Sequence, residues 1–224
     1  MKNKDALAFY QNMSNSKSLN QNSVKLAKNS DFSKIDAVFI MKYANSHSDI
    51  LDLGSGTGLI VNRIYKKINH IVAVESFKKF TQFIKNTKKI KIINKNIINY
   101  KSKYKFDLIT LFAIVQYFNE KEIIKIYSKY IKKLKLNGKL IIKGQFGIKE
   151  DVIISGYSDE LKTNYYSEYR YIKKETSILK KIGFINIKVF DIYPPKYNRW
   201  NNTHFFAIVG EKKWIIINKL QLLY

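Results

Sequence analysis

The segment Ile50-Leu51-Asp52-Leu53-Gly54-Ser55-Gly56-Thr57-Gly58 constrains this chain more than any other. A short apolar run, suited to a buried strand, stops at three glycines on alternate positions, and an amphipathic stretch over residues 59–68 follows. Glycine allows the tight turn and lets a ligand approach the main chain closely. The helix after such a turn points free amide N–H groups at whatever binds there. A dinucleotide site would space its glycines G-x-G-x-x-G to seat a pyrophosphate. The spacing here is D-x-G-x-G-x-G, and Asp52 puts a carboxylate beside the turn. A carboxylate suits a ligand that carries an ammonium and repels a pyrophosphate.

Around this turn the chain alternates. Strands are expected at residues 50–53, 71–74, 90–93, 106–112 and 139–143, with helices at 59–68, 77–85 and 120–134 and a turn at Asn137-Gly138. Repeated β-α units of this length imply a parallel, doubly wound α/β sheet. The ending differs. A helix over residues 173–182 closes at Gly183, and strands at 184–193 and 204–210 flank a connection with no room for a helix. That pair reads as an antiparallel hairpin, giving seven strands. Before the sheet, a short helix is expected at residues 5–13 and a second at 31–43, capped by Ser30 or Asp31. The chain divides into an N-terminal helical segment over 1–45, a main domain over 46–210 and an extension over 211–224. The apolar stripe of that extension suits either an added strand or helix or a subunit contact.

The 224 residues can bury the core of one such domain. The chain has no cysteine, which removes disulfides, thiolate metal sites and cysteine nucleophiles together. The N-terminus is too polar for a signal peptide, and no apolar run is long enough to span a membrane, so a cytoplasmic location is expected. The net charge of +24 raises the question of nucleic acid. Arginine, however, appears only at Arg63, Arg170 and Arg199. Evolved nucleic-acid surfaces favour arginine forks, whereas spread lysine alongside abundant Asn and Ile suits AT-rich coding. Composition bias is the preferred reading.

The D-x-G-x-G-x-G segment resembles the first motif of the class I S-adenosylmethionine-dependent methyltransferases. The resemblance implies a Rossmann-like sheet in which Asp52, Gly54, Ser55, Gly56 and Gly58 hold the amino-acid end of S-adenosyl-L-methionine. Glu75, about 20 residues past the turn, falls where an acidic side chain takes the ribose hydroxyls, and Ser76 adjoins it. Asn96 stands where the family often has an Asp facing adenine; its side-chain oxygen can still accept a bond. Ile97 and Phe112 complete the cofactor set. The motifs cover about residues 48–145.

Ligands of open α/β sheets bind beyond the carboxyl ends of the strands. His47 and His70 precede strands and fall at the opposite end. His204 begins the last strand at the ligand face, so it is either the general base or a structural histidine. Two connections reach the same face. Residues 144–170 read as a long binding loop, which includes Asp159-Glu160 and offers Tyr166, Tyr169 and Arg170. Residues 193–203 offer Asn198, Arg199 and Trp200. With Gln116, these form the expected acceptor set; no metal is expected. Arginine suits a phosphate or carboxylate. The loop texts GYSDELKTNYYSEYRY and DIYPPKYNRWNNTHF are similar to small-molecule methyltransferases of bacterial surface-polysaccharide pathways. The expected function is therefore O-methylation of a small, phosphorylated or sugar-linked acceptor, by a monomer or homodimer. RNA methylation and a non-catalytic cofactor-binding subunit stay open as alternatives.

Overall fold

A computed structural model describes residues 4–24, 31–158 and 163–213. Helices α1 (Lys4–Ser14) and α2 (Ser33–Met41) precede the sheet. The alternation then runs β1 (Asp49–Leu53), α3 (Val61–Ile64), β2 (His70–Glu75), α4 (Lys78–Thr81), β3 (Ile90–Asn94), β4 (Phe106–Phe112), α5 (Glu120–Ile131) and β5 (Leu134–Gly147). A hairpin, β6 (Val152–Ser158) with β7 (Thr163–Tyr169), leads into α6 (Ile172–Ile182), β8 (Phe184–Asp191) and β9 (Thr203–Lys212). The main sheet has seven strands in the order β3-β2-β1-β4-β5-β9-β8. The first five are mutually parallel, and β9 runs antiparallel to both β5 and β8. This is the expected doubly wound α/β, Rossmann-like sheet with its antiparallel end.

Successive strand residues face opposite sides of a sheet, so both sides of this one must be covered. Leu51, Leu53, Val72, Val74, Ile109 and Leu111 pack with Ile123, Tyr127 and Leu179 from α5 and α6. Ile50, Ile71, Ala73 and Leu108 pack with Phe39 and Ile40 of α2 and Val61 and Ile64 of α3. Helix α5 starts on a capping box: Asn119 accepts the Glu122 amide at 3.0 Å, and Glu122 accepts the Asn119 amide at 3.0 Å. Helix α6 ends at Gly183 in the left-handed region, with φ +106°.

Several expectations change. Residues 144–170 are not a loop: β5 extends to Gly147, and β6 and β7 pair as a separate two-stranded sheet. Val152, Ile153, Ile154 and the tyrosines at 165, 166 and 169 are strand formers, a signal that outweighs the loop reading. Asp159-Glu160 of that stretch, and Ser30, lie outside the described residues. Asn137-Gly138, expected as a turn ahead of the strand, lie inside β5, where the pairing with β4 shifts register, and Asn137 has φ +59°. The helices expected at 59–68 and 77–85 are shorter, Val61–Ile64 and Lys78–Thr81, and the Asn62 side chain links the two segments by donating to Phe83 O at 2.8 Å and accepting the Lys85 amide at 2.9 Å. Asp31 caps no helix and pairs with Arg63 and Ser33 instead. The last strand runs to Lys212, and residues 214–224 of the extension lie outside the described residues.

Arg170 is the largest correction. It does not reach the ligand face; its side chain is fully buried. Its guanidinium donates to Glu175 at 2.6 Å, to Phe118 O at 2.6 Å and to Val115 O at 3.0 Å, and Tyr127 donates to the same Glu175. The arginine ties β7 to α5, α6 and the segment leaving β4. Removing one member strands a buried carboxylate, so Arg170→Ala should lower the unfolding free energy by about 3–5 kcal/mol in denaturant melts. A loss below about 1 kcal/mol, the range of an exposed pair, would contradict this assignment.

Candidate active site

The glycine turn follows β1 and is stitched to β2. The amides of Gly54 and Ser55 both donate to Val74 O, at 2.8 and 3.0 Å. Gly54, Gly56 and Gly58 have φ of +79°, +54° and +75°, where side chains are strained. A Cβ on Gly54 would come within 2.7 Å of Ile114, and one on Gly58 within 2.5 Å of Ile84. Glu75, the last residue of β2, turns its carboxylate back onto this turn. It accepts the Gly56 amide at 2.8 Å and the Phe77 amide at 3.0 Å. Burial raises its pKa, and the two amides oppose the rise. Asp52 sits one strand over, accepts the Thr110 hydroxyl at 2.6 Å, and is likewise raised by burial.

These groups open onto a cavity of about 310 Å³ at the carboxyl ends of the strands. Ser55, Ser76, Asn96, Ile97, Phe112 and Gln116 lie in its walls with Asp52, Glu75, Gly54 and Gly56. Gly58 supports the turn from behind, against Ile84. Asn96 Oδ1 accepts the Ile98 amide at 2.9 Å and keeps its second lone pair. Gln116 donates to Ala113 O at 2.8 Å, holding Ala113 at φ +57°, while its buried Oε1 has no partner among the described residues. The N-terminal segment forms the roof. Ala6, Leu7, Tyr10 and Val24 line the cavity, the Tyr10 and Tyr117 hydroxyls meet at 2.7 Å, and Thr57 donates to Gln21 O at 2.6 Å.

The same cavity continues past Phe112 into an aromatic chamber. Phe32 stacks on Tyr193 at 4.3 Å between centroids, Tyr197 meets Phe32 edge-on at 4.7 Å, and Phe205 lies 5.2 Å from Tyr193. Tyr169 and Arg199 also line it. Sequence reading missed the polar centre of this chamber. Lys143, inside β5, lies beside Phe112 at the end of β4, and its ammonium stands 3.1 Å from Asp36 of α2. The Tyr193 hydroxyl donates to the other Asp36 oxygen at 2.5 Å. Burial, and then the Asp36 charge, hold the proton on Tyr193. The signal was present: Asp36 is the charged residue on the buried face of α2, among Ala37, Phe39 and Ile40.

Other expected acceptor residues fall elsewhere. His204 is not in the cavity wall; its ring is held between Asp191 at 2.7 Å and Asn198 at 3.1 Å. Its strand pairs with β5 in a register that points the ring away from the chamber, so the expected role of general base is corrected to a loop tie. Asn198 is its partner. Tyr166 donates to Glu168 at 2.9 Å, and Trp200 donates to the Tyr169 hydroxyl at 3.2 Å, both outside the cavity wall. Among the described residues no group of three or more His, Cys, Asp or Glu side chains could hold a metal ion.

Residues 50–138 match the methyltransferase domain family. A search of curated protein sequences finds no significant match. The fold is shared with an S-adenosylmethionine-dependent methyltransferase from Clostridium acetobutylicum, at 17% identity and TM-score 0.64, over 86% of this chain and 96% of that one. It is shared with the Burkholderia thailandensis 1,6-didemethyltoxoflavin-N1-methyltransferase, bound to its substrate and S-adenosylhomocysteine, at 10% identity and TM-score 0.72, over 95% and 87%. It is also shared with Haemonchus contortus phosphoethanolamine N-methyltransferase 1, at 14% identity and TM-score 0.71, over 96% of this chain and 50% of that one. Residues 50–138 carry a methyltransferase domain, and with the shared fold they indicate an S-adenosylmethionine-dependent methyltransferase. Its residues fit the cofactor: a glycine cradle that a Cβ would fill, a buried carboxylate folded onto that turn, and an acceptor on Gln116 with no partner among the described residues.

Glu75→Ala should weaken S-adenosylmethionine and S-adenosylhomocysteine alike, about tenfold or more, since charge-assisted bonds to ribose hydroxyls would be lost. Those hydroxyls donate to the ionised carboxylate, whose pKa burial raises. Wild-type affinity should therefore fall as pH drops through a range above that of an ordinary glutamate. Calorimetry showing unchanged affinity in the variant would remove Glu75 from the site.

Proposed function

We propose that this methyltransferase modifies a hydroxyl of a small anionic acceptor, phosphorylated or sugar-linked, held in the chamber beyond Phe112. The observation that carries the reading is continuity. One cavity joins the cofactor turn to a chamber whose aromatic walls suit a flat or sugar-like ring and whose edge carries Arg199. When bound, S-adenosylmethionine supplies a methyl on a sulfonium, so the chain's own work is to align the acceptor and exclude water. Alignment alone can contribute about 7–11 kcal/mol of barrier reduction. Asp52, Glu75 and the glycine turn would hold the cofactor. Phe112 and Gln116 stand between it and the chamber. Tyr169, Tyr197 and Arg199 would seat the acceptor.

A cytoplasmic step on surface-polysaccharide precursors is the setting we favour, on the similarity of the loop text. The phosphoethanolamine bound by the Haemonchus contortus enzyme is a small anionic acceptor of the same general kind. Among the described residues no helix is long and apolar enough to cross a membrane.

Arg199→Lys keeps the charge and loses the fork, so the acceptor KM should rise several-fold or more while cofactor affinity holds. The acceptor for that assay comes from a methyl-transfer screen of phosphorylated and nucleotide-activated sugars, with RNA as the control. Incorporation into RNA at physiological salt, with none into the sugars, would reverse the reading.

A further inference from the structure

We propose that Asp36, acting through the Tyr193 hydroxyl, takes the proton that a hydroxyl acceptor loses on methylation. Among the described residues three carboxylates line the cavity: Asp36, Asp52 and Glu75. Asp52 and Glu75 belong to the cofactor turn, bonded to Thr110 and to the Gly56 and Phe77 amides. Asp36 is the one left on the acceptor side, and His204 is turned away from it.

Its surroundings are built rather than incidental. Among the described residues Lys143 is the only buried lysine. Composition bias explains surface lysine and does not explain this one. Its ammonium lies 3.1 Å from Asp36 Oδ2, and 5.4 and 5.1 Å from the ring centroids of Phe112 and Tyr193. A buried ion pair is no more stabilising than apolar packing of the same volume, so stability alone does not account for it. Lys143 is a positioning residue: it fixes Oδ2 and leaves Oδ1 to the hydroxyl of Tyr193, itself a residue of the cavity wall. Lys143 and Tyr193 are the charged and titratable groups bonded to Asp36, and Arg199 shares the chamber.

The step balances. The acceptor oxygen bonds to the methyl carbon, and the carbon–sulfur bond breaks with its electron pair on sulfur. The acceptor proton passes to the Tyr193 oxygen as the Tyr193 proton passes to Asp36, which later releases it to water. One positive charge on sulfur and one negative charge on Asp36 disappear together. Base assistance of this kind is worth roughly a hundred- to ten-thousandfold in rate.

The proposal rests on the chamber being an O-methylation site, and its test avoids the natural acceptor. Protein bound to S-adenosylhomocysteine is titrated with para-nitrophenolate at a pH where the free probe is ionised, in buffers of different ionisation heat. Two anions cannot both stay ionised in one buried site, so wild type should take up about one proton per bound probe. Asp36→Asn should take up none. Tyr193→Phe keeps the ring packing, stays informative if Asp36→Asn unfolds, and should bind the probe several-fold more weakly, because the hydroxyl that joins the phenolate to Asp36 is gone. No uptake by the wild type overturns the proposal, as does equal uptake by Asp36→Asn or unchanged probe affinity in Tyr193→Phe. The probe carries no phosphate or sugar, so a failed sugar-phosphate screen would remove the acceptor reading and leave this result standing.

Discussion

The bond from the Gly56 amide to the Glu75 carboxylate is the constraint on which the rest of the site depends. It joins the turn after the first strand to the end of the second, across neighbours already in register from Asp49 with His70 to Leu53 with Val74. The turn reaches that carboxylate only with positive φ at all three glycines. One carboxylate therefore shapes the loop, and in our proposal its remaining lone pairs would meet the ligand. Two amide donors offset the cost of burying it, and ligand hydroxyls would complete its shell.

The acceptor side follows from which face of the sheet each residue takes. Asp52, Thr110, Phe112 and Lys143 fall on the side that α2 covers. Helix α2 must bury Phe39 and Ile40 there, and the same face carries Asp36 down onto Lys143. Tyr193, leaving β8, closes the group from the antiparallel end. The chamber is thus assembled from the N-terminal helix, the central strands and the final hairpin. No single stretch of sequence contains it.

That distribution explains what could be read in advance. The seven strands, their parallel run and the closing hairpin were legible because apolar runs and glycine turns report local structure directly. The residues proposed to hold the cofactor were read as one group because they follow one another along two strand ends. Arg170 and His204 misled for one reason: rare polar residues near the ligand face invite a functional role, yet their fate depends on partners distant in sequence. Arg170 meets the carbonyls of Val115 and Phe118, and His204 meets Asp191. Lys143 was hidden among many lysines, and Asp36 within an apolar helix, until packing brought them together. The hairpin over residues 152–169 was visible as tyrosine and β-branched strand formers, but its tyrosines suit a binding loop as well.

A crystal structure with S-adenosylhomocysteine tests the central claim most directly. The account predicts ribose hydroxyls on Glu75, the amino-acid end against Gly54 to Gly58, and sulfur facing the chamber of Phe112, Lys143 and Tyr193. A ligand seated elsewhere, or sulfur turned away from that chamber, would contradict it.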